Sequence, residues 1–203
     1  MITVLDYGSG NIAAIANLLR LSNLPHAVVQ TPDGLSEANH IILPGVGAFD
    51  NTMASFRRSG VEAALHERTQ AGAALLGICV GMQVLAEASD EGTEPGLNLV
   101  PGRVRRFDPQ TIDCPSKVPH MGWNAIKPTG PHPLLEGIDL ERGFYFLHSY
   151  YFDCADAGHA LAVTEHGRPF HCAVGNGRVF GVQFHPEKSH DNGVRLFQNF
   201  MSL

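Results

Sequence analysis

No cysteine pair in this sequence has CxxC spacing, and its four cysteines, at 79, 114, 154 and 172, stand far apart. Such spacing excludes a zinc knuckle and a disulfide framework, so reduced, individually placed thiols are expected. The eleven histidines likewise form no HExxH pair, since "HERTQ" at 66–70 lacks the second histidine. No metal site is expected. A phosphate-cradling loop is missing too, because "DYGSGNI" at 6–12 has GxG without a third glycine. No cofactor is expected either. Positive charge is scarce, with 14 Lys+Arg against 20 Asp+Glu and a net charge of −6. That balance argues against nucleic-acid and membrane-surface partners. No apolar run approaches membrane-spanning length. The opening "MITVLDYGSGNI" lacks a basic n-region and a long apolar core, so a cytosolic location is expected.

What remains is an ordinary globular composition, 44% hydrophobic and 17% charged. A length of 203 residues suits one α/β domain, 1–203, with a sizeable core. "ITVLDYG" (2–8), "HAVVQT" (26–31), "HIILPG" (40–45) and "AALLGI" (73–78) read as buried strands. Between them, "NIAAIANLLRLS" (11–22) predicts a helix with Asn11 as its N-cap. Residues 49–72 predict two helical segments, each closed by glycine, and 80–89 another helix. This alternation predicts a doubly wound, mostly parallel, flavodoxin-like sheet flanked by helices. From about residue 97 the runs become short and turn-separated, which predicts antiparallel strands added to that sheet, and 189–203 predicts a final helix. No linker or internal repeat interrupts the chain.

Cys79 falls where strand 73–78 should turn into helix 80–89, between Gly77 and Gly81. Open α/β folds keep ligand sites at such corners, and a sharp turn presents one side chain outward. The start of a helix favours a thiolate. A lone cysteine is also commonly a packing residue. "GVQFHPE" (181–187) changes the balance, because His185 and Glu187 lie two apart at the end of an apolar strand and can point to one face. A nucleophilic cysteine needs a base, and the base needs a carboxylate to orient it. His185 and Glu187 supply those types, although HxE alone is a weak signal.

"GICVGMQ" (77–83) with "QFHPEKS" (183–189) resembles the triad-type, class I glutamine amidotransferases. "DYGSGNI", "LPGVGAF" (43–49), "PHMGWN" (119–124) and "FLHSYYF" (146–152) narrow the resemblance to the glutaminase subunits of imidazole glycerol phosphate synthases, in histidine biosynthesis. The resemblance implies attack by Cys79 on the amide carbon of L-glutamine and protonation of departing ammonia by His185. Water, activated by His185, then releases glutamate, with Glu187 orienting the imidazole throughout. It implies an oxyanion hole from the N–H groups of Val80 and, in the "PGVG" turn, Val46. That turn is implied to switch between inactive and active states. Substrate contacts are implied at Gly47, Gln83, Ser149 and Tyr150, with His148 beside them.

With no second catalytic centre in the chain, the ammonia must serve another protein. The resemblance implies a (β/α)₈-barrel cyclase that makes imidazole glycerol phosphate and aminoimidazole carboxamide ribotide from a phosphoribulosyl formimino substrate. Trp123 and Lys188 are candidates for the cyclase-facing side; read without the resemblance, they are a core Trp and a solvated Lys. "GRVRRF" (102–107), the one basic cluster, reads as a solvated strand face. Cys114, Cys154 and Cys172 read as packing or surface thiols.

The rivals are a paralogous glutaminase serving a different synthase, a stand-alone cysteine hydrolase and a binding module with a dead site. Anthranilate-type subunits carry His where Met82 stands, and the pyridoxal-phosphate-synthase type carries "PGGES" where this chain has "PGVGAF". Some related hydrolases place their base directly after the cysteine, where this chain has Val80. A dead module is disfavoured by the presence of all three triad residues.

Overall fold

A computed structural model describes residues 1–112 and 118–203; the expectation for Cys114 lies outside the described residues. In chain order the elements are β1 (Ile2–Leu5), α1 (Ile12–Leu21), β2 (His26–Val29), β3 (His40–Gly45), α2 (Phe49–Arg58), α3 (Glu62–Gln70), β4 (Ala74–Cys79) and α4 (Val80–Gln83). There follow β5 (Ala88–Ser89), β6 (Gly102–Arg106), β7 (His120–Asn124), β8 (Lys127–Pro128), β9 (Phe144–His148), β10 (Tyr150–Cys154), β11 (Ala160–Glu165), β12 (Pro169–Asn176), β13 (Val179–Val182) and α5 (His190–Met201).

The main sheet runs β2-β1-β3-β4-β13-β12-β10-β6-β5, with β11 pairing with β12 and β8. From β2 to β13 every neighbouring pair is parallel. Parallel strands are covered on both faces and need continuous apolar sequence rather than alternation. "ALLGIC" in β4 and "VFGV" in β13 are buried at every position, which puts β4 at the centre. The class I amidotransferase-like α/β architecture expected from the sequence is therefore present, with antiparallel pairing from β13 through β12 and β10 to β6 and the short β5 parallel to β6 at the edge.

Three local expectations are corrected. Helix 80–89 is a single turn, Val80–Gln83. The carbonyls that would continue it are taken by the next loop: Leu97 N–H donates to Val84, Leu99 and Val100 to Leu85, and Asn98 to Ala86. Tertiary hydrogen bonds thus override the helical periodicity. Asn11 does occupy the N-cap position of α1, but its side chain makes no capping hydrogen bond. "FLHSYYF" spans two sheets rather than one: β9 pairs with β7 in a separate two-stranded sheet, while β10 joins the main sheet. The glycine stops after α2 and α3 are present, Gly60 and Gly72 having φ of +72° and +92°. The basic strand β6 is a solvated face as expected, with Arg103 paired to Asp90 at 2.8 Å.

The corner after β4 has no room for larger residues. A Cβ on Gly81 would lie 1.9 Å from the Leu43 carbonyl oxygen, and one on Gly45 2.3 Å from the Gly81 nitrogen. These two glycines let the β3 and β4 turns touch, backbone to backbone. The Tyr7 hydroxyl donates to the Pro44 carbonyl and fixes the β3 side of that contact.

Candidate active site

Cys79 ends β4 and immediately precedes α4, with φ +56° and ψ −114°. A non-glycine residue in that region is strained and persists only where its surroundings enforce it. Here the enforcement comes from the glycine contacts just described. Cys79 lines a cavity of about 220 Å³ together with Val46, Gly47, Val80, Gln83, Glu91, Leu147, His148, Tyr150, His185 and Lys188.

His185 reaches this cavity, and Glu187 reaches His185, differently from the way their spacing suggests. Strand β13 stops at Val182, and residues Pro186–Lys188 form a 3₁₀ turn. Glu187 folds back on that turn, so its Oε1 meets His185 Nδ1 at 2.9 Å instead of sharing a strand face with it. Two tethers hold the turn: Ser189 Oγ donates to the His185 carbonyl at 2.6 Å, and Tyr145 N–H donates to Ser189 Oγ at 3.0 Å. Gly193 lets α5 press on the same turn, since a Cβ there would lie 1.9 Å from the Pro186 oxygen.

Burial alone would lower the pKa of His185. Hydrogen bonds to Cys79 and Glu187, with the charges of both, outweigh it and raise the value to about 10. The direction favours the imidazolium form of His185, an acid able to protonate a departing amine. The sign for stability follows. A folded pKa above the model value of 6.5 stabilises the fold fully below pH 6.5, and this is lost as pH rises toward about 10. The stability gap between the unsubstituted chain and His185→Ala, read from urea midpoints, is expected to narrow from pH 6.5 to pH 10. A gap that widens over that range contradicts this electrostatic assignment.

The remaining expected residues fall in and around the cavity. Gln83, one turn after Cys79 in α4, lines it, as do Gly47 and Tyr150. Val80 is the first residue of α4, a position whose N–H has no intrahelical partner. Val46 N–H is engaged elsewhere: it donates to Ser9 Oγ at 3.2 Å, while Ser9 Oγ donates to the Val46 carbonyl at 3.0 Å. Ser149 is not among the lining residues, and its carbonyl accepts from Phe107 N–H. Lys188 sits at the rim with its Nζ 5.5 Å from the centre of the Tyr145 ring. Trp123 is 42% exposed, alongside Met121 and Leu147, on the outer face of the β7–β9 sheet. It is not a core residue. Cys172 is a buried thiol in β12 and Cys154 a half-buried one.

Sequence reasoning missed Gln183. It is fully buried, its Nε2 lies 3.8 Å from Cys79 Sγ, and its Oε1 accepts from Gln83 Nε2 at 3.0 Å. Its signal was in plain view, a lone amide in an otherwise apolar run, "VFGVQF". A wider hollow of about 540 Å³ at Pro128–Glu136 lies apart from this constellation and contains no nucleophile.

The chain was compared with known proteins. The sequence profile described as "Glutamine amidotransferase class-I" matches residues 3–203. A Bdellovibrio bacteriovorus protein named imidazole glycerol phosphate synthase subunit HisH is 49% identical over 206 residues, covering 100% of both chains. The protein of that name from Leptospira interrogans is 42% identical, again over the whole of both chains. So is the subunit named HisH 2 of Pseudomonas aeruginosa, at 42%. Among solved structures, one described as a glutamine amidotransferase superposes with a TM-score of 0.74 at 21% identity, covering 99% of this chain and 97% of the other. That of PurLQS from Thermotoga maritima gives 0.75 at 18%, with the same coverage. At such identities these two likenesses speak for the fold alone.

Proposed function

Because the chain belongs to the class I glutamine amidotransferases, we propose that Cys79, His185 and Glu187 hydrolyse L-glutamine to glutamate and ammonia. We read the chain, 1–203 as one unit, as the glutaminase subunit of an imidazole glycerol phosphate synthase in histidine biosynthesis. The observation that carries this reading is a strained corner cysteine sharing one cavity with His185, whose Nδ1 lies 2.9 Å from the Glu187 carboxylate.

This geometry supports covalent catalysis at Cys79. Cys79 sulfur attacks the amide carbon, forming a C–S bond as the carbonyl electrons move to oxygen. That oxyanion lies toward Val80, whose N–H is a donor at the helix start. His185 gives its proton to the amine as the C–N bond breaks, leaving a glutamyl thioester and ammonia. Neutral His185 then takes a proton from water, hydroxide adds to the thioester, and the C–S bond breaks to release glutamate, its carboxylic proton passing to water, which returns the thiolate of Cys79 beside protonated His185. Glu187 keeps the Nδ1 proton of His185 in place throughout.

The second oxyanion donor would be Val46, and its N–H is held by the Ser9 hydroxyl. Turning that peptide toward Cys79 costs the Ser9 hydrogen bonds, which supports a low rate for the isolated chain and a partner that favours the turned state. A flanking Gly47 at φ +92° gives the turn room to pivot. The partner is read as the (β/α)₈-barrel cyclase, docked against the Met121–Trp123–Leu147 face beside Lys188, and the complex as a heterodimer. An exposed Trp flanked by Met suits an interface core. Among the described residues no helix is long and apolar enough to cross a membrane. The protein is read as cytoplasmic.

A glutamine-analogue alkylating agent tests the chemistry. With the cyclase present, one equivalent is expected on Cys79, blocked by excess glutamine. Absence of labelling, or labelling that glutamine does not block, overturns the reading.

A further inference from the structure

From His148, which lines the pocket, a row of buried and half-buried polar groups runs back through the β7–β9 sheet. His120 on β7 and His148 on β9 are buried and directly opposite each other in register. Nδ1 of His120 lies 3.0 Å from Nε2 of His148, and Nδ1 of His148 lies 2.7 Å from the Tyr150 carbonyl oxygen. Farther along β7, Asn124 Nδ2 lies 3.2 Å from His120 Nε2 and 2.8 Å from the Glu165 carbonyl oxygen.

Two backbone carbonyls fix every proton in this row, because a carbonyl only accepts. Glu165 requires the NH₂ of Asn124 on its side, so the second amide hydrogen of Asn124 points at His120 Nε2 and makes that nitrogen an acceptor. His120 therefore carries its proton on Nδ1 and donates it to His148 Nε2. His148 in turn carries its proton on Nδ1 and donates it to Tyr150. The other half starts from the same Tyr150 oxygen, which also accepts from Gln83 Nε2 at 3.2 Å. That contact orients the Gln83 amide, whose second hydrogen goes to Gln183 Oε1. Gln183 must then turn its NH₂ toward Cys79 Sγ, where it lies at 3.8 Å. Each half admits one arrangement only, and both agree at Tyr150.

We infer that Asn124, His120 and His148 are positioning residues for the glutamine reaction. Through the Tyr150 carbonyl they hold Gln83 with both amide hydrogens engaged, which leaves its Oε1 as an acceptor toward the pocket, and they hold Gln183 as a donor to the nucleophilic sulfur. An acceptor at Gln83 complements the ammonium of a free amino acid. The imidazoles serve as neutral hydrogen-bonding rods. Burial, opposed by the hydrogen bond to Tyr150 and assisted by the charges of His120, His166 and His185, lowers His148 to about 3, and burial with His166 lowers His120 to about 4. His166 stacks on His120 with ring centres 4.4 Å apart. Side chains alternate along β7, so His120 and Asn124 face inward where Met121 and Trp123 face out. A protein seated on that outer face touches the strand that carries the row.

The inference rests on the glutaminase reading for what the pocket binds; the hydrogen-bond order does not. Two measurements separate them. Imidazole ¹⁵N shifts of the ¹⁵N-labelled chain at pH 6.5 are expected to show both His120 and His148 as Nδ1–H tautomers. An Nε2–H tautomer at either residue overturns the row, whether or not glutamine is turned over. Glutamate release by the cyclase complex then tests its role. His148→Gln and His148→Leu lack a donor at the Nδ1 position and are expected to raise KM for glutamine about tenfold, with kcat within about threefold. His148→Asn keeps a donor there and is expected to recover KM to within about twofold of the unsubstituted protein. Asn as impaired as Gln, or Gln and Leu without effect on KM, overturns the positioning role. An unsubstituted complex that releases no glutamate overturns the glutaminase reading, while the tautomers still judge the row.

Discussion

Cys79→Ala is expected to lower glutamate release from glutamine by about 10⁴-fold or more, the scale on which removing a nucleophile collapses covalent catalysis. Ammonia-dependent synthesis by the cyclase complexed with the variant is expected to continue at the unsubstituted rate. The asymmetry follows from structure. Among the described residues, Cys79 is the one cysteine lining the cavity with His185, and Cys172 lies buried in β12 while Cys154 is half-buried in β10. Alanine removes the sulfur without adding bulk at a corner that already tolerates a β-carbon, so fold and docking face stay intact. Initial rates with glutamine and with ammonium salts, on the same preparation, give both numbers. Equal loss of the two rates contradicts the division of labour.

Glu187→Gln is expected to lower kcat with glutamine by about 10²- to 10⁴-fold, the range that separates a useful base from one in the wrong tautomer. The Glu187 side chain is 1% exposed and its Oε1 lies 2.9 Å from His185 Nδ1. An amide in its place removes the charge that helps raise His185, and it can present NH₂ to Nδ1 and drive the imidazole proton to the other nitrogen. Two signatures distinguish this from general damage. The alkaline limb of the kcat profile should move to lower pH, because part of the upward push on His185 is gone. KM should change by no more than about threefold, since Glu187 does not line the pocket. A variant with unshifted profile and kcat within about threefold of the unsubstituted protein contradicts the orienting role.

Much of this was legible in the sequence, for identifiable reasons. Strands β1, β3 and β4 were legible because parallel strands demand unbroken apolar runs, and "HIILPG" and "AALLGI" have no competing periodicity. Cys79 was legible because glycines on both sides of a cysteine at a strand end have few uses besides a close backbone corner. Less visible were features decided by distant partners. The residues after Gln83 keep a helical pattern, yet their carbonyls are taken by Leu97, Asn98, Leu99 and Val100, which no local rule foresees. The split of "FLHSYYF" between two sheets depends on β7 pairing with β9, a register set across the chain. His120 and His148 stand 28 residues apart, so their partnership was invisible until the strands met. Gln183 and the hold of Ser9 on Val46 belong to the same class, at separations of 104 and 37 residues.

The central claim is that this chain hydrolyses glutamine on behalf of a barrel cyclase and is held back without it. Glutamate release measured for the chain alone, with the cyclase, and with the cyclase plus its nucleotide ligand tests that claim most directly. The account predicts little release from the isolated chain, whose Val46 N–H is bound to Ser9, and strong release only in the liganded complex. Full activity from the chain alone, indifferent to cyclase and ligand, would contradict it.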